Sequence, residues 1–171
     1  MELNILPIWT DFELIHDVNA VTSSDDFVIR SASAKWEENP LRSVKLKFNT
    51  DDFHSLRNML KSSLENKENI IVPVLESGLS LLENAPAGTT LLHIEGEVGN
   101  WLFLFSPQHF EYRQVENQIG NLVYIALGLT YSYTTSDKVF RAIESKPISS
   151  FTRTHPASTV AAFEVEFLEC R

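Results

Sequence analysis

Cysteine is nearly missing from this chain: Cys170 is the only one in 171 residues. A single thiol excludes an internal disulfide and a zinc-thiolate cluster, and it suits a reducing compartment. Long apolar runs are missing too. No stretch reaches the length of a membrane span, and the opening "MELNILPIWTDFEL" has neither the basic start nor the apolar core of a secretory leader. The expectation is a soluble, cytoplasmic protein. Cations are also scarce, with 14 Lys and Arg against 23 Asp and Glu and a formal charge of -9. That surplus is repelled by phosphate backbones and anionic bilayers, so neither nucleic acid nor membrane is an expected partner.

Signatures of catalysis are lacking as well. The six glycines supply no Gly-x-Gly-x-x-Gly turn and no glycine loop ending in Lys-Ser or Lys-Thr, and "ESGLS" around Ser77 departs from the Gly-x-Ser-x-Gly elbow. The five histidines show no His-x-His or His-Glu-x-x-His spacing. Three acidic residues close before Cys170 discourage its thiolate. No catalytic residue and no cofactor is assigned from these patterns.

What the chain does contain is enough apolar material, 43% of residues, for one full core, so residues 1–171 are expected to form a single globular domain. "SVKLKFN" alternates, with Val44, Leu46 and Phe48 on one face, and predicts a half-buried strand. "NTDDFHSLRNMLKSSLENKEN" predicts a helix, with Thr50 as cap, Asp51 and Asp52 at its positive end, and Phe53, Leu56, Leu60 and Leu64 as a buried stripe. Pro73 is placed in the first turn of a second helix reaching about Asn84. "TTLLHIEGEVGNWLFLFSP" reads as two strands, about 90–98 and 101–106, joined by a Gly99-Asn100 hairpin turn. In the second run both faces are apolar, which predicts either a central strand covered on each side or one with a face left for a partner.

Val115, Ile119, Leu122, Val123 and Ala126 recur at helical spacing, so a third helix is predicted over about 113–128. "KVFRAIES" fits either element type, "KPISSFTRTHPAST" reads as loop, and "VAAFEVEFLE" alternates as a final strand. Residues 1–43 give only short apolar pieces between polar turns. The summary is an α+β fold, a mostly antiparallel sheet with about three helices packed on it.

Alternation sets Glu164 and Glu166 on the face opposite Phe163, Val165 and Phe167, and His93, Glu95 and Glu97 opposite Leu92, Ile94 and Val98. Paired carboxylates about 6–7 Å apart invite a hydrolase reading, but acid-base work needs one carboxyl held protonated, and alternating strand faces are wet. His93, Glu95 and Glu97 form a loose metal platform that falls short of three or four converging ligands with supporting partners. A pocket for a small molecule or peptide would leave no mark in the sequence. Trp36, beside Glu37 and Glu38, is a candidate interface anchor.

In size, charge, single-domain build and the acid-bearing "HIEGEVGNW" segment, the chain resembles small acidic bacterial immunity proteins, which neutralise a basic nuclease toxin by covering its active site. The resemblance rests on no diagnostic motif, so it transfers no functional residue. It implies a non-enzymatic protein with a basic protein partner. On that reading Glu95, Glu97, Glu164 and Glu166 are the expected acidic contacts, with Trp36 as anchor.

Overall fold

The computed structural model describes residues 1–4, 12–15, 43–49, 53–147, 152–154 and 162–170. Among them are ten strands and one helix. The strands are β1 (Phe12–Ile15), β2 (Ser43–Asn49), β3 (Ile70–Leu81), β4 (Leu91–Glu95), β5 (Trp101–Phe105), β6 (Phe110–Ile119), β7 (Leu122–Ile125), β8 (Lys138–Pro147), β9 (Thr152–Thr154) and β10 (Ala162–Glu169). The helix, α1, spans Phe53–Asn66. The α+β expectation with about three helices is therefore corrected to a mostly β protein built around a closed barrel. Two compact units emerge, Met1–Asn4 with Ile70–Glu144, and Ile5–Asn69 with Ser145–Arg171.

The first unit is a six-stranded antiparallel barrel in the order β3-β4-β7-β6-β5-β8, closed by pairing of β8 back to β3. Within it, β4-β7-β6-β5 is a Greek key, in which three hairpin-connected strands bring the last beside the first. Closure leaves no unpaired edge in the ring. Its core holds Leu79, Leu81, Leu92, Ile94, Leu102, Leu104, Val123, Ile125 and Val139, the inward halves of alternating strands. Phe103, Tyr112 and Phe140 are buried on the outward side of β5, β6 and β8, with Phe103 and Tyr112 ring centres 4.8 Å apart. The expectation that β5 is central and covered on both faces holds, since Leu102, Phe103 and Leu104 are all fully buried.

Three sequence assignments in this unit are corrected. Pro73 lies inside strand β3, not at the start of a helix. The Gly99-Asn100 stretch is not a hairpin turn: β4 pairs with β3 and β7, β5 pairs with β6 and β8, and residues 96–100 carry the chain between non-adjacent strands. The predicted helix over 113–128 is instead the β6–β7 hairpin, which turns at Gly120-Asn121. Gly120 has φ +59°, and glycine with positive φ at the first of two turn residues is the pattern of a type II′ turn.

Two long connections, 82–90 and 126–137, meet over one end of the barrel. Ala85 and Tyr133 exchange backbone hydrogen bonds of 2.8 Å each way, and Gly88 N donates to Leu129 O at 2.8 Å. Leu129 and Tyr133 enter the core from this cover. The close approach needs small residues, because a Cβ at Gly128 would lie 2.6 Å from the Gly88 carbonyl oxygen.

In the second unit β2 lies between β1 and β10, and β10 also pairs with β9 and with the last residues of β8. Val44, Leu46, Val165 and Phe167 are buried, as alternation predicts for β2 and β10. α1 falls where its stripe predicts and buries Leu56 and Leu60, while its proposed caps Thr50, Asp51 and Asp52 lie outside the described residues. It ends in a Schellman-type turn: Glu68 N donates to Ser63 O at 3.1 Å across Lys67, whose φ is +56°. Thr152–Thr154, within the stretch read as loop, pairs as strand β9.

Candidate interaction surface

Charge in the barrel unit is sorted between inside and outside. From Ile70 to Asp137 the sequence holds one lysine or arginine, Arg113, against seven acidic residues. Register turns Arg113 inward, because its partner across β5 is Leu102, a core residue. Arg141 of β8 pairs with the same Leu102 and shares that inward side. Glu83, Glu95, Glu97, Glu116 and Glu144 are all exposed. Apart from Lys138, which opens β8 and is exposed, the strands of the barrel unit carry their cations on the inward side, and five exposed carboxylates give the outer wall a negative potential.

Two of the inward charges, Glu111 and Arg113, are held by structural bonds. Glu111 pairs with Leu104 in register and is buried; its carboxylate forms an ion pair with Arg113. The same carboxylate accepts hydrogen bonds from Thr130 N at 3.0 Å and Tyr131 N at 3.3 Å. Arg113 Nη1 donates to Tyr112 O at 2.7 Å, and Nη2 to the Thr130 hydroxyl at 2.6 Å. The His109 ring stacks on Tyr131 at 4.2 Å and meets Tyr133 edge-on at 5.1 Å. Burial, reinforced by the nearby Glu111 charge, pushes the Tyr133 hydroxyl far above the usual tyrosine range. Both Glu111 oxygens are occupied by these partners. The cluster is built to fasten the 126–137 connection to the barrel wall.

The acids singled out in the sequence do not form one platform. Leu92 and Ile94 are buried while Glu95 is exposed, as alternation predicts for β4, and Glu97 is exposed in the following connection. His93 Nδ1 lies 3.1 Å from Glu83 Oε1, so its neighbour in space is an acid the sequence reading passed over. Among the described residues no three His, Cys, Asp or Glu side chains converge as a metal set, which leaves His93, Glu95 and Glu97 without the ligand geometry considered for them.

Glu164 and Glu166 belong to the second unit, where register sets them opposite Lys47 and Lys45 of β2. Register therefore places lysine positions directly across from both. Trp36 lies outside the described residues. Trp101, the first residue of β5, is half-buried, and its indole Nε1 donates to Glu144 Oε1 at 3.1 Å.

The contrast between barrel interior and exterior is the feature sequence reading missed. Its signal was available as a 68-residue span with one cation, but only strand register tells that this cation points inward. Among the described residues, no helix is long and apolar enough to cross a membrane. Compared with protein-family models and with curated proteins, the chain finds no match.

Proposed function

We propose that this protein is a non-enzymatic, cytoplasmic binding protein whose acidic barrel unit captures a cationic protein, and that the partner is a basic toxin of the nuclease type, neutralised by being covered. The observation that carries the reading is the distribution of charge: the barrel's arginines face inward while Glu83, Glu95, Glu97, Glu116 and Glu144 face water. Exposed carboxylates raise the encounter rate with a basic surface and set its orientation, while apolar contacts supply much of the holding energy. The outward faces of Glu95 and Glu97 support their role as contacts. Glu164 and Glu166 belong to the second unit and are not part of this barrel surface.

Affinity capture from a native lysate at low and high salt tests the proposal. The expected result is a stoichiometric protein of high isoelectric point, bound at low salt and weakened at high salt. A captured partner that is acidic, or whose binding ignores both salt and charge reversal at Glu95 and Glu97, overturns it.

A further inference from the structure

The barrel wall formed by β3, β4, β7 and β6 carries apolar side chains on its outer side. Leu91 of β4 pairs with Tyr124 of β7, and His93 of β4 pairs with Leu122 of β7, which in turn pairs with Ile119 of β6. On the other flank, Leu82 N donates to His93 O at 2.8 Å, which continues the same row past the end of β3. One row therefore reads Leu82, His93, Leu122, Ile119 across four strands, about 15 Å wide at the usual strand spacing. Leu91 and Tyr124 lie beside it. Inward-facing partners cannot account for these residues, since Leu92, Ile94, Val123 and Ile125 already fill the core side.

Exposure makes the wall unusual. Ile119 is 59% exposed, Leu82 48%, and Leu91 and Tyr124 37% each. Isolated exposed apolar residues are ordinary; a contiguous set with a polar rim marks an interaction surface. The rim here is acidic. Glu83 stands against His93, Glu95 follows on β4, and Glu116 occupies the bulge in β6 that shifts the register between Val115 and Asn117. No lysine or arginine of β3, β4 or β7 exists to break it. The closed ring offers no strand edge for β-augmentation, so a partner must dock through side chains.

We infer that this wall is the docking face for the cationic protein, which presents an apolar protrusion ringed by lysines and arginines. The inference rests on the acidic-capture reading and names where capture happens. Charge complementarity decides the occupant: a second copy would bring acidic rims together, whereas a basic ring would pair with Glu83, Glu95 and Glu116 around an apolar centre.

Two synthetic peptides of equal charge, one alternating lysine with leucine and one alternating lysine with serine, serve as probes against the full chain by titration calorimetry. Wild-type protein is expected to bind both at low salt and the leucine peptide at least about ten-fold tighter, the worth of one well-buried apolar anchor. The variant I119T/Y124T keeps strand-favouring residues at both positions and leaves the acidic rim untouched. It should lose the preference for the leucine peptide while binding the serine peptide as wild type does.

Equal affinity of wild type for both peptides, or a preference that survives I119T/Y124T in a variant with an unchanged unfolding midpoint, overturns the docking face and leaves acidic capture standing. Failure to bind either peptide removes acidic capture and the docking face with it. Wild-type self-association in sedimentation, abolished by I119T/Y124T, assigns the wall to a second copy and overturns the inference as well.

Discussion

Glu111 and Arg113, two residues apart on β6, form an ion pair on the inward side of the barrel, where the carboxylate also receives the backbone amides of Thr130 and Tyr131. One strand thus fastens the connection that covers the barrel's end. A buried pair of this kind contributes little relative to an apolar replacement of both partners, but removing one partner strands the other in low dielectric.

Glu111→Ala should therefore destabilise the protein by about 3–5 kcal/mol, the range for breaking a buried pair. Chemical denaturation followed by tryptophan fluorescence measures it. A loss below about 1 kcal/mol, the ceiling for most exposed pairs, would mean that the pair is effectively solvated and does not anchor the cover.

Gly128→Ala places a methyl group 2.6 Å from the Gly88 carbonyl oxygen, a backbone atom held by the Gly88 N to Leu129 O bond. Overpacking of this sort costs about 1–3 kcal/mol. The expected outcome is a lower thermal midpoint, read by circular dichroism. Gly88→Ala tests a separate term, because Gly88 has φ +85° but no atom within 4 Å of an added Cβ.

Alkaline stability follows from two buried tyrosines. Burial, with Glu2 nearby, raises the Tyr112 hydroxyl well above its ordinary value, and burial with Glu111 raises Tyr133. Each is protonated in both folded and unfolded chains below about pH 10, so neither makes stability depend on pH there. Above that value the unfolded chain releases protons that the folded chain retains, and stability falls as pH rises. Unfolding midpoints measured from pH 8 to 11 should be flat and then decline, and Y133F should decline less steeply than wild type. An equal slope in Y133F would show that Tyr133 ionises in the native state.

The legible parts of the sequence are those with one unbroken period. Val44 and Leu46 in β2, and Val165 and Phe167 in β10, alternate without interruption, and both strands fall where alternation puts them. Leu56 and Leu60 mark α1 in the same way. Periodicity misled where a bulge or reversal changed phase. The bulge at Glu116 lets Val115 and Gln118 both pair with core residues, Ile125 and Val123, although they are an odd three positions apart, and the Gly120-Asn121 reversal then starts a new strand. Together these mimic the spacing of a helix.

Gly-Asn occurs twice in the chain. The turn was assigned to Gly99-Asn100, but only Gly120-Asn121 is flanked by strands that pair with each other. Local turn chemistry cannot distinguish them, because partner choice in a Greek key is set by long-range packing. The candidate surface was half legible for the same reason. Alternation exposes Glu95, but the inward aim of Arg113, the lysines opposite Glu164 and Glu166, and the row from Leu82 to Ile119 exist only in cross-strand register.

The most direct test of acidic capture is the association rate of the basic partner recovered at low salt, measured across ionic strength with wild type and with E95K/E97K. Capture by the barrel's outer charge predicts a wild-type rate that falls steeply with salt, and a double variant about ten-fold slower at low salt with a flatter dependence. Identical rates and slopes in a properly folded E95K/E97K protein would contradict it.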